Sequence, residues 1–298
     1  MPDVASPSFA AHREQVQRAI RELCLPRLGG LEPSVADAIR YSLLGEGKAM
    51  RAILLIEAYR AAGGTGDAGA LGAAVEVVHA YSLVHDDLPC MGDDDMRRGR
   101  PTVHRAFGVR AATAAGLAMV PLAVRCAYVA AESLGLSPPV RGAVVRELMR
   151  ASGAGGMIGG QLLDLAAEGS SLSLSELERV HALKTGALIT ASVRIGALAA
   201  RGGPDALAAF ERYGAAVGLA FQIADDVLDV TGTTVELGKA AGRDLRLNKS
   251  TYPALLGVEG AVARAGSLVE QACDALRPAG LLTPELERLA RYVVARRS

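Results

Sequence analysis

Residues 75–101 read VEVVHAYSLVHDDLPCMGDDDMRRGRP. Val75, Val78 and Ser82, with Leu71 and Ala74 before them, recur at three- and four-residue spacing, the period of one helix face. The stripe is narrow and built of small or apolar side chains, so the spacing predicts a helix running into His85. Asp86 and Asp87 then fall at its C-terminal end, where the macrodipole is negative and aspartate is disfavoured. Five aspartates stand within ten positions and three arginines follow. Such a density of like charge requires a neutralising partner, and what that partner is bears directly on function.

A second acidic knot, VGLAFQIADDVLDVTG (Val217–Gly232), repeats the theme. Asp225 and Asp229 are four residues apart and share a helix face, with Asp226 beside them. Phe221, Ile223, Val227 and Leu228 flank them with apolar surface. An apolar helix ending in Asp-Asp, followed by a basic, glycine-containing loop, thus occurs at 74–100 and again at 215–249. Chance in an alanine-rich helical chain yields such an echo; so do two half-sites that face each other.

Nearly every other long segment also carries helical spacing, rich in alanine and leucine, with no run of alternating β-branched residues. A capping box is expected at Ser175–Glu178, opening the helix that holds HALKTGALITASVRIGALAA. Thr283-Pro284-Glu285 is expected to open the last helix. Breaks fall at 61–70, 135–139, 168–175 and 200–205, none long enough for an inter-domain linker. The expectation is an all-α fold, one domain over residues 1–298, without internal repeats.

Lys plus Arg and Asp plus Glu each number 32, so the net charge is zero. Nucleic-acid binding and anionic-membrane binding both favour a basic excess, and neither is expected. The four cysteines (Cys24, Cys90, Cys126, Cys273) include no C-x-x-C pair, which points to a reducing cytoplasm. The N-terminal stretch lacks an apolar signal region. Ala111–Ala131 is long enough to span a bilayer, yet Pro121 and Arg125 in its middle favour a buried core helix, with no stable membrane insertion.

Carboxylate clusters suit hard, oxygen-loving cations, so Mg²⁺ is preferred over Zn²⁺. An Asp-Asp pair by itself is also an ordinary solvated helix end; two pairs on apolar helices, each followed by basic residues, favour metal. Arg97, Arg98, Lys184, Lys239 and Lys249 lie in RRG, KTG, LGK and NKST contexts, where small neighbours admit a phosphate. Lys48 and Arg51, beside Gly47, add another basic pair. Each basic residue alone is an ordinary surface charge, whereas together they suit diphosphates held against metal. The glycines of GAGGMIGG (153–160) lack the lysine–serine ending of a P-loop.

HAYSLVHDDLPCMGDDDMRRGRPTVH, GMIGGQLLDLAAEG, HALKTGALI, GLAFQIADDVLDV and LGKAAGRDLRLNKSTYPALLG together resemble the trans-isoprenyl diphosphate synthases, in particular the short-chain bacterial farnesyl type. The likeness is colinear from about residue 45 to residue 257. It implies a helical bundle around a deep central cavity, usually homodimeric, and two or three Mg²⁺ per site. Asp86, Asp87 and Asp225 would bind Mg²⁺, with Asp229 on the face of Asp225. Arg97, Lys184, Lys239 and Lys249 would hold an allylic diphosphate. Gly47, Lys48, Arg51, His79 and Arg98 would take isopentenyl diphosphate. Lys184, Thr185, Gln222 and Lys239 are the expected catalytic set, and 232–250 the expected lid. His79 also reads as a plain core histidine, and Tyr81, with Ser82, either ends the chain-elongation channel or packs a core.

Two positions depart from the family pattern. The D-D-x-x-x-x-D spacing from Asp86 ends on Gly92, where glycine freedom is expected to let Asp93 swing in as a substitute ligand. Leu117 follows Gly116 where the family carries aspartate. These departures leave room for a catalytically weak regulatory homologue, and a geranylgeranyl product is an alternative to farnesyl. A terpene cyclase shares the ionisation chemistry but needs aromatic faces for long cations, and the chain has no Trp and four Phe.

Overall fold

The computed structural model describes residues 7–45, 47–231 and 250–295. The helices in chain order are α1 (Pro7–Ala19), α2 (Pro33–Leu43), α3 (Met50–Ala61), α4 (Gly69–Asp86), α5 (Val103–Phe107), α6 (Val109–Ser133), α7 (Pro138–Ser152), α8 (Met157–Ala166), α9 (Leu174–His181), α10 (Ala187–Ala199), α11 (Pro204–Thr231), α12 (Tyr252–Leu276) and α13 (Pro284–Ala295). A π-helical turn, Ala182–Gly186, joins α9 to α10. The all-α expectation holds apart from one two-residue hairpin, β1 (Met96–Arg97) with β2 (Arg100–Pro101).

α3 and α10 form the centre. α3 carries no polar stripe, and its buried residues run unbroken from Ala52 to Tyr59. A helix apolar all round must be covered all round. One side of α3 (Ala52, Leu55, Ile56) joins the core with α1, α2, α4, α6 and α7. Its other side (Ile53, Leu54, Ala58) joins a second core with α11, α12 and α13. α10 divides in the same way, with Ala191 and Ile195 on one side and Ile189 and Val193 on the other.

The alanine and glycine content lets these helices approach closely. A Cβ on Gly196 of α10 would lie 2.3 Å from the Leu55 carbonyl oxygen of α3. One on Gly160 of α8 would lie 2.1 Å from the Lys184 backbone nitrogen. Backbones this close leave no room for any side chain, so glycine is required at both contacts.

Two local expectations are corrected. The capping box is built on Ser173, not Ser175: Ser173 Oγ accepts from the Glu176 amide at 3.4 Å, and Glu176 Oε2 accepts from the Ser173 amide at 2.8 Å. Four serines stand in 170–175, and Ser173 and Ser175 each have a glutamate three residues on, so the register is ambiguous in sequence and the backbone selects Ser173. α6 is half-buried rather than buried throughout. It packs on α4 while Leu117 and Tyr128 are exposed. At the last helix, Thr283 Oγ1 accepts from the Leu286 amide at 3.2 Å, as its sequence predicted.

Candidate active site

α4 ends at Asp86, and Asp87 is its C-cap. The chain then turns so that the Gly92 amide donates to the Asp86 carbonyl at 2.7 Å. Arg98 (φ 53°) and Gly99 (φ 73°) are both left-handed, the condition for the tight primed turn that matches hairpin twist. The hairpin sends Arg97 back onto α4. Its Nε donates to both Asp87 oxygens at 2.9 Å, and its Nη2 donates to Oδ1 at 2.6 Å. Asp86 and Asp94 each lie 3.7 Å from the same guanidinium. Part of the neutralising charge that the first knot requires is therefore internal.

Lys184 supplies more of it. Its Nζ donates to Asp164 of α8 at 2.8 Å and lies 3.7 Å from Asp86. Gln161, one helical turn before Asp164, donates to Asp86 Oδ1 at 2.9 Å. Burial lowers the affinity of the Lys184 amine for its proton, but Asp86 and Asp164 outweigh it and the pKa is raised. Burial raises the Asp87 carboxyl, and the Arg97 hydrogen bonds work against that rise. Asp87 is only 2% exposed, whereas the Asp86 side chain is 29% exposed.

The π-helical turn joins the two acidic knots. Lys184 reaches Asp86 on α4, and its neighbour Thr185 donates from Oγ1 to Gln222 Oε1 on α11 at 2.9 Å. Gln222 lies one turn before Asp226, to whose Oδ1 its Nε2 donates at 3.1 Å. The two acidic stretches thus flank one turn of chain. In the second knot Asp225 is half-buried, and Asp226 and Asp229 are buried.

Below the hairpin lies a cleft of about 520 Å³ lined by Gly47, Glu76, His79, Asp87, Arg97 and Arg98 among others. The Arg98 guanidinium lies against Gly47, where a Cβ would be 2.8 Å from Nη1. Ala49 adopts a left-handed conformation (φ 49°) immediately before α3, between exposed Lys48 and half-buried Arg51. Glu76 accepts from the Ala52 amide at 3.1 Å. Its carboxyl is raised by burial against the pull of Arg51 and Arg98. His79 is held well below its ordinary pKa by burial and then by Arg51, Arg98 and Arg97, so it is neutral at pH 7.

Tyr81 packs edge-on to His85, ring centroids 5.0 Å apart, and is 8% exposed. Ser82 donates to the His79 carbonyl at 2.7 Å. Gly116 faces α4, where a Cβ would meet His85 Nε2 at 2.0 Å. Leu117 is turned outward and 65% exposed. The left-handed residue after Gly92 is Asp93 itself (φ 50°), not the glycine. Asp93 is exposed, and Asp94 is the carboxylate from this turn that comes near Arg97. Asp94, Gln161, Asp164 and Glu76 are site residues that sequence reasoning missed. The helical spacing of Gln161 and Asp164 within GMIGGQLLDLAAEG was the available signal. Lys239, Lys249 and the expected lid lie outside the described residues, except Ser250.

The donors fit a hard divalent cation in one specific way. Among the described residues no group of three or more Asp, Glu, His or Cys is assembled to hold a metal by itself. Mg²⁺ commonly takes one or two protein carboxylates and completes its shell with phosphate oxygens and water. Asp86 and Asp87, already paired with Arg97 and Lys184, match that pattern.

A polyprenyl synthetase family model matches residues 32–275. The chain belongs to the polyprenyl synthetase family. Farnesyl diphosphate synthase of Escherichia coli (strain K12) is 46% identical over 267 residues, covering 88% of this chain and 89% of that one. Geranylgeranyl pyrophosphate synthase 12 of Arabidopsis thaliana is 42% identical, covering 82% of this chain and 68% of its own. The geranyltransferase of Helicobacter pylori, crystallised with magnesium and isoprenyl diphosphate, superposes with a TM-score of 0.80 at 27% identity, covering 98% of each chain. The superposition covers nearly the whole fold.

Proposed function

We propose that this chain is a short-chain trans-prenyltransferase that joins isopentenyl diphosphate head-to-tail to an allylic diphosphate and stops at farnesyl diphosphate. The observation that carries the reading is the π-helical turn, with Lys184 directed at the first acidic knot and Thr185 at the second. Basic and acidic groups converge there from α4, α8 and α11, as a metal–diphosphate site requires.

Mg²⁺ would be held by Asp86 and Asp87 on one side and by Asp225, with Asp229 on its face, on the other. When bound, it supplies positive charge for the leaving diphosphate. Arg97 and Lys184 leave their carboxylate partners to hold the allylic diphosphate, joined by Lys239 and Lys249. As the allylic C–O bond ionises, these cations stabilise the negative charge that develops on the departing oxygens. The second substrate lies in the cleft between Gly47, Lys48, Arg51 and Arg98, with neutral His79 as a hydrogen-bonding wall. Its double bond attacks the allylic cation, Thr185 and Gln222 face the reacting carbons, and the released diphosphate takes the proton. Tyr81, deeper on α4 with Ser82 beside it, ends the channel for the growing chain.

The protein acts as a homodimer in the cytoplasm in this reading. Leu117, Val120, Pro121, Val124 and Tyr128 form a stripe along α6 at i, i+3, i+4, i+7 and i+11, facing solvent beside a groove of about 760 Å³ against α7. A stripe of this size suits a second copy. It also gives Leu117 a place where an apolar group is favourable. Leu117→Asp should shift sedimentation from dimer to monomer; an unchanged dimer would remove this face from the interface.

The deciding assay supplies Mg²⁺, dimethylallyl diphosphate and isopentenyl diphosphate. Release of inorganic diphosphate and a fifteen-carbon product support the reading, and a twenty-carbon product moves it to the geranylgeranyl type. No product at any Mg²⁺ concentration would refute it in favour of a regulatory homologue.

A further inference from the structure

Adjacent aspartates in the second knot have opposite surroundings. Asp225 is half-buried, whereas Asp226 is 3% exposed. Both Asp226 oxygens are taken by protein donors: Oδ1 accepts from Gln222 Nε2 at 3.1 Å, and Oδ2 accepts from the Tyr252 amide at 3.0 Å. His181 Nε2 stands 3.6 Å from Oδ2, and its ring stacks on Tyr252 with centroids 5.7 Å apart. We propose that Asp226 is a positioning residue rather than a metal ligand, and that it sets the orientation of the Gln222 amide and through it the Thr185 hydroxyl. The inference rests on the reading above, in which Thr185 and Gln222 face the reacting carbons.

The reasoning follows donor and acceptor inventory. A glutamine amide has one donor end and one acceptor end, whereas an ionised carboxylate only accepts. Facing Asp226, Gln222 must offer its NH₂, so its oxygen points the other way, to Thr185. The Thr185 hydroxyl donates to that oxygen at 2.9 Å, which commits its proton. The remaining surroundings of Thr185 then meet lone pairs only. Beside a carbon that becomes positive, an outward lone pair is stabilising and an outward hydroxyl proton is not. The chain of bonds is anchored in backbone, because the Tyr252 amide is a first-turn donor of α12 with no partner inside its own helix. Thr251 caps the same helix through the Ala254 amide at 3.3 Å, so the helix start does not depend on Asp226 alone.

Asp226→Asn tests this with little change of shape. Asn Oδ1 still accepts from Tyr252, but its NH₂ now faces Gln222, which must turn over and leave Thr185 as acceptor with its proton outward. The expected result is a fall in kcat of about tenfold or more, because the misplaced group acts only as charge develops. KM for both substrates and the half-saturating Mg²⁺ concentration should stay within about twofold of wild type. Asp225→Asn, in contrast, should raise the Mg²⁺ requirement. A raised Mg²⁺ requirement in Asp226→Asn would overturn the inference while leaving chain elongation intact, whereas an inactive wild-type protein would remove the reading beneath it. A second pair of variants keeps the test open if Asp226→Asn folds poorly. Gln222→Glu sets two carboxylates face to face and should lose activity. Adding Asp226→Asn restores donor-to-acceptor order through to Thr185, and kcat should recover by about fivefold or more over Gln222→Glu. No recovery would overturn the proposal.

Discussion

Gly160→Ala should damage the enzyme from a position that touches neither substrate. The new methyl carbon would lie 2.1 Å from the Lys184 nitrogen, 2.5 Å from its Cα and 2.7 Å from the Leu183 carbonyl carbon, all backbone atoms that cannot rotate away. Ordinary contact begins near 3.4 Å, so α8 and the π-helical turn must separate by more than 1 Å. That movement carries Gln161 and Asp164 away from Asp86 and Lys184, whose bonds of 2.9 and 2.8 Å would then exceed hydrogen-bonding range. Overpacking of this kind costs about 1–3 kcal/mol. A chain of this size should lose several degrees of Tm, and a ~1 Å displacement of Lys184 and Thr185 should lower kcat by about 10²-fold. Steady-state kinetics with both substrates and a thermal melt measure the two effects. Gly155→Ala, in the same glycine-rich run with nothing within 4 Å of its Cβ, is the control and should change neither. A Gly160→Ala enzyme with unaltered Tm and kcat would show that this close approach does not position Lys184.

Three further outcomes follow from the site. Because His79 has a lowered folded pKa, the unfolded chain binds more protons once pH falls below about 6.5, and stability falls with pH there by up to ~1.4 kcal/mol per unit. His79→Gln should therefore flatten Tm between pH 6.5 and 5; an unchanged slope would mean that His79 is charged in the fold. Tyr81→Ala should lengthen the product and lower Tm, since deleting a buried aromatic ring costs about 3–5 kcal/mol. An unaltered product distribution by chromatography would remove Tyr81 from the channel wall. Gly92→Asp should preserve or raise activity and lower the Mg²⁺ requirement, because the left-handed strain of this turn falls on Asp93 and not on position 92. A large loss would show that glycine itself is needed there.

The helices were legible because their apolar residues recur at helical spacing, most clearly in α4 and α11, whose C-terminal aspartates mark both acidic knots. The two acidic clusters were legible too, since each is a short run along the chain. Charge neutralisation was not. Arg97 closes on Asp87 only because Arg98 and Gly99 both turn left-handed, and Lys184 meets Asp86 only because the π-helical turn sits between α4 and α11. The capping residue was misassigned by two positions for the same reason: a serine run offers several equivalent partners, and backbone geometry chooses among them.

Spacing along the chain therefore determined that this protein is helical, that it carries two acidic helix ends and that basic residues follow each. Which carboxylates stay accessible and which are consumed by the protein's own donors was decided by packing. Asp225 and Asp226 are neighbours of identical chemistry, yet they sit about 100° apart around one helix, and that rotation leaves one half-buried and sends the other into the Gln222–Tyr252 network. Sequence states which groups exist; only the close approach of α8, α11 and the π-helical turn decides what each of them faces.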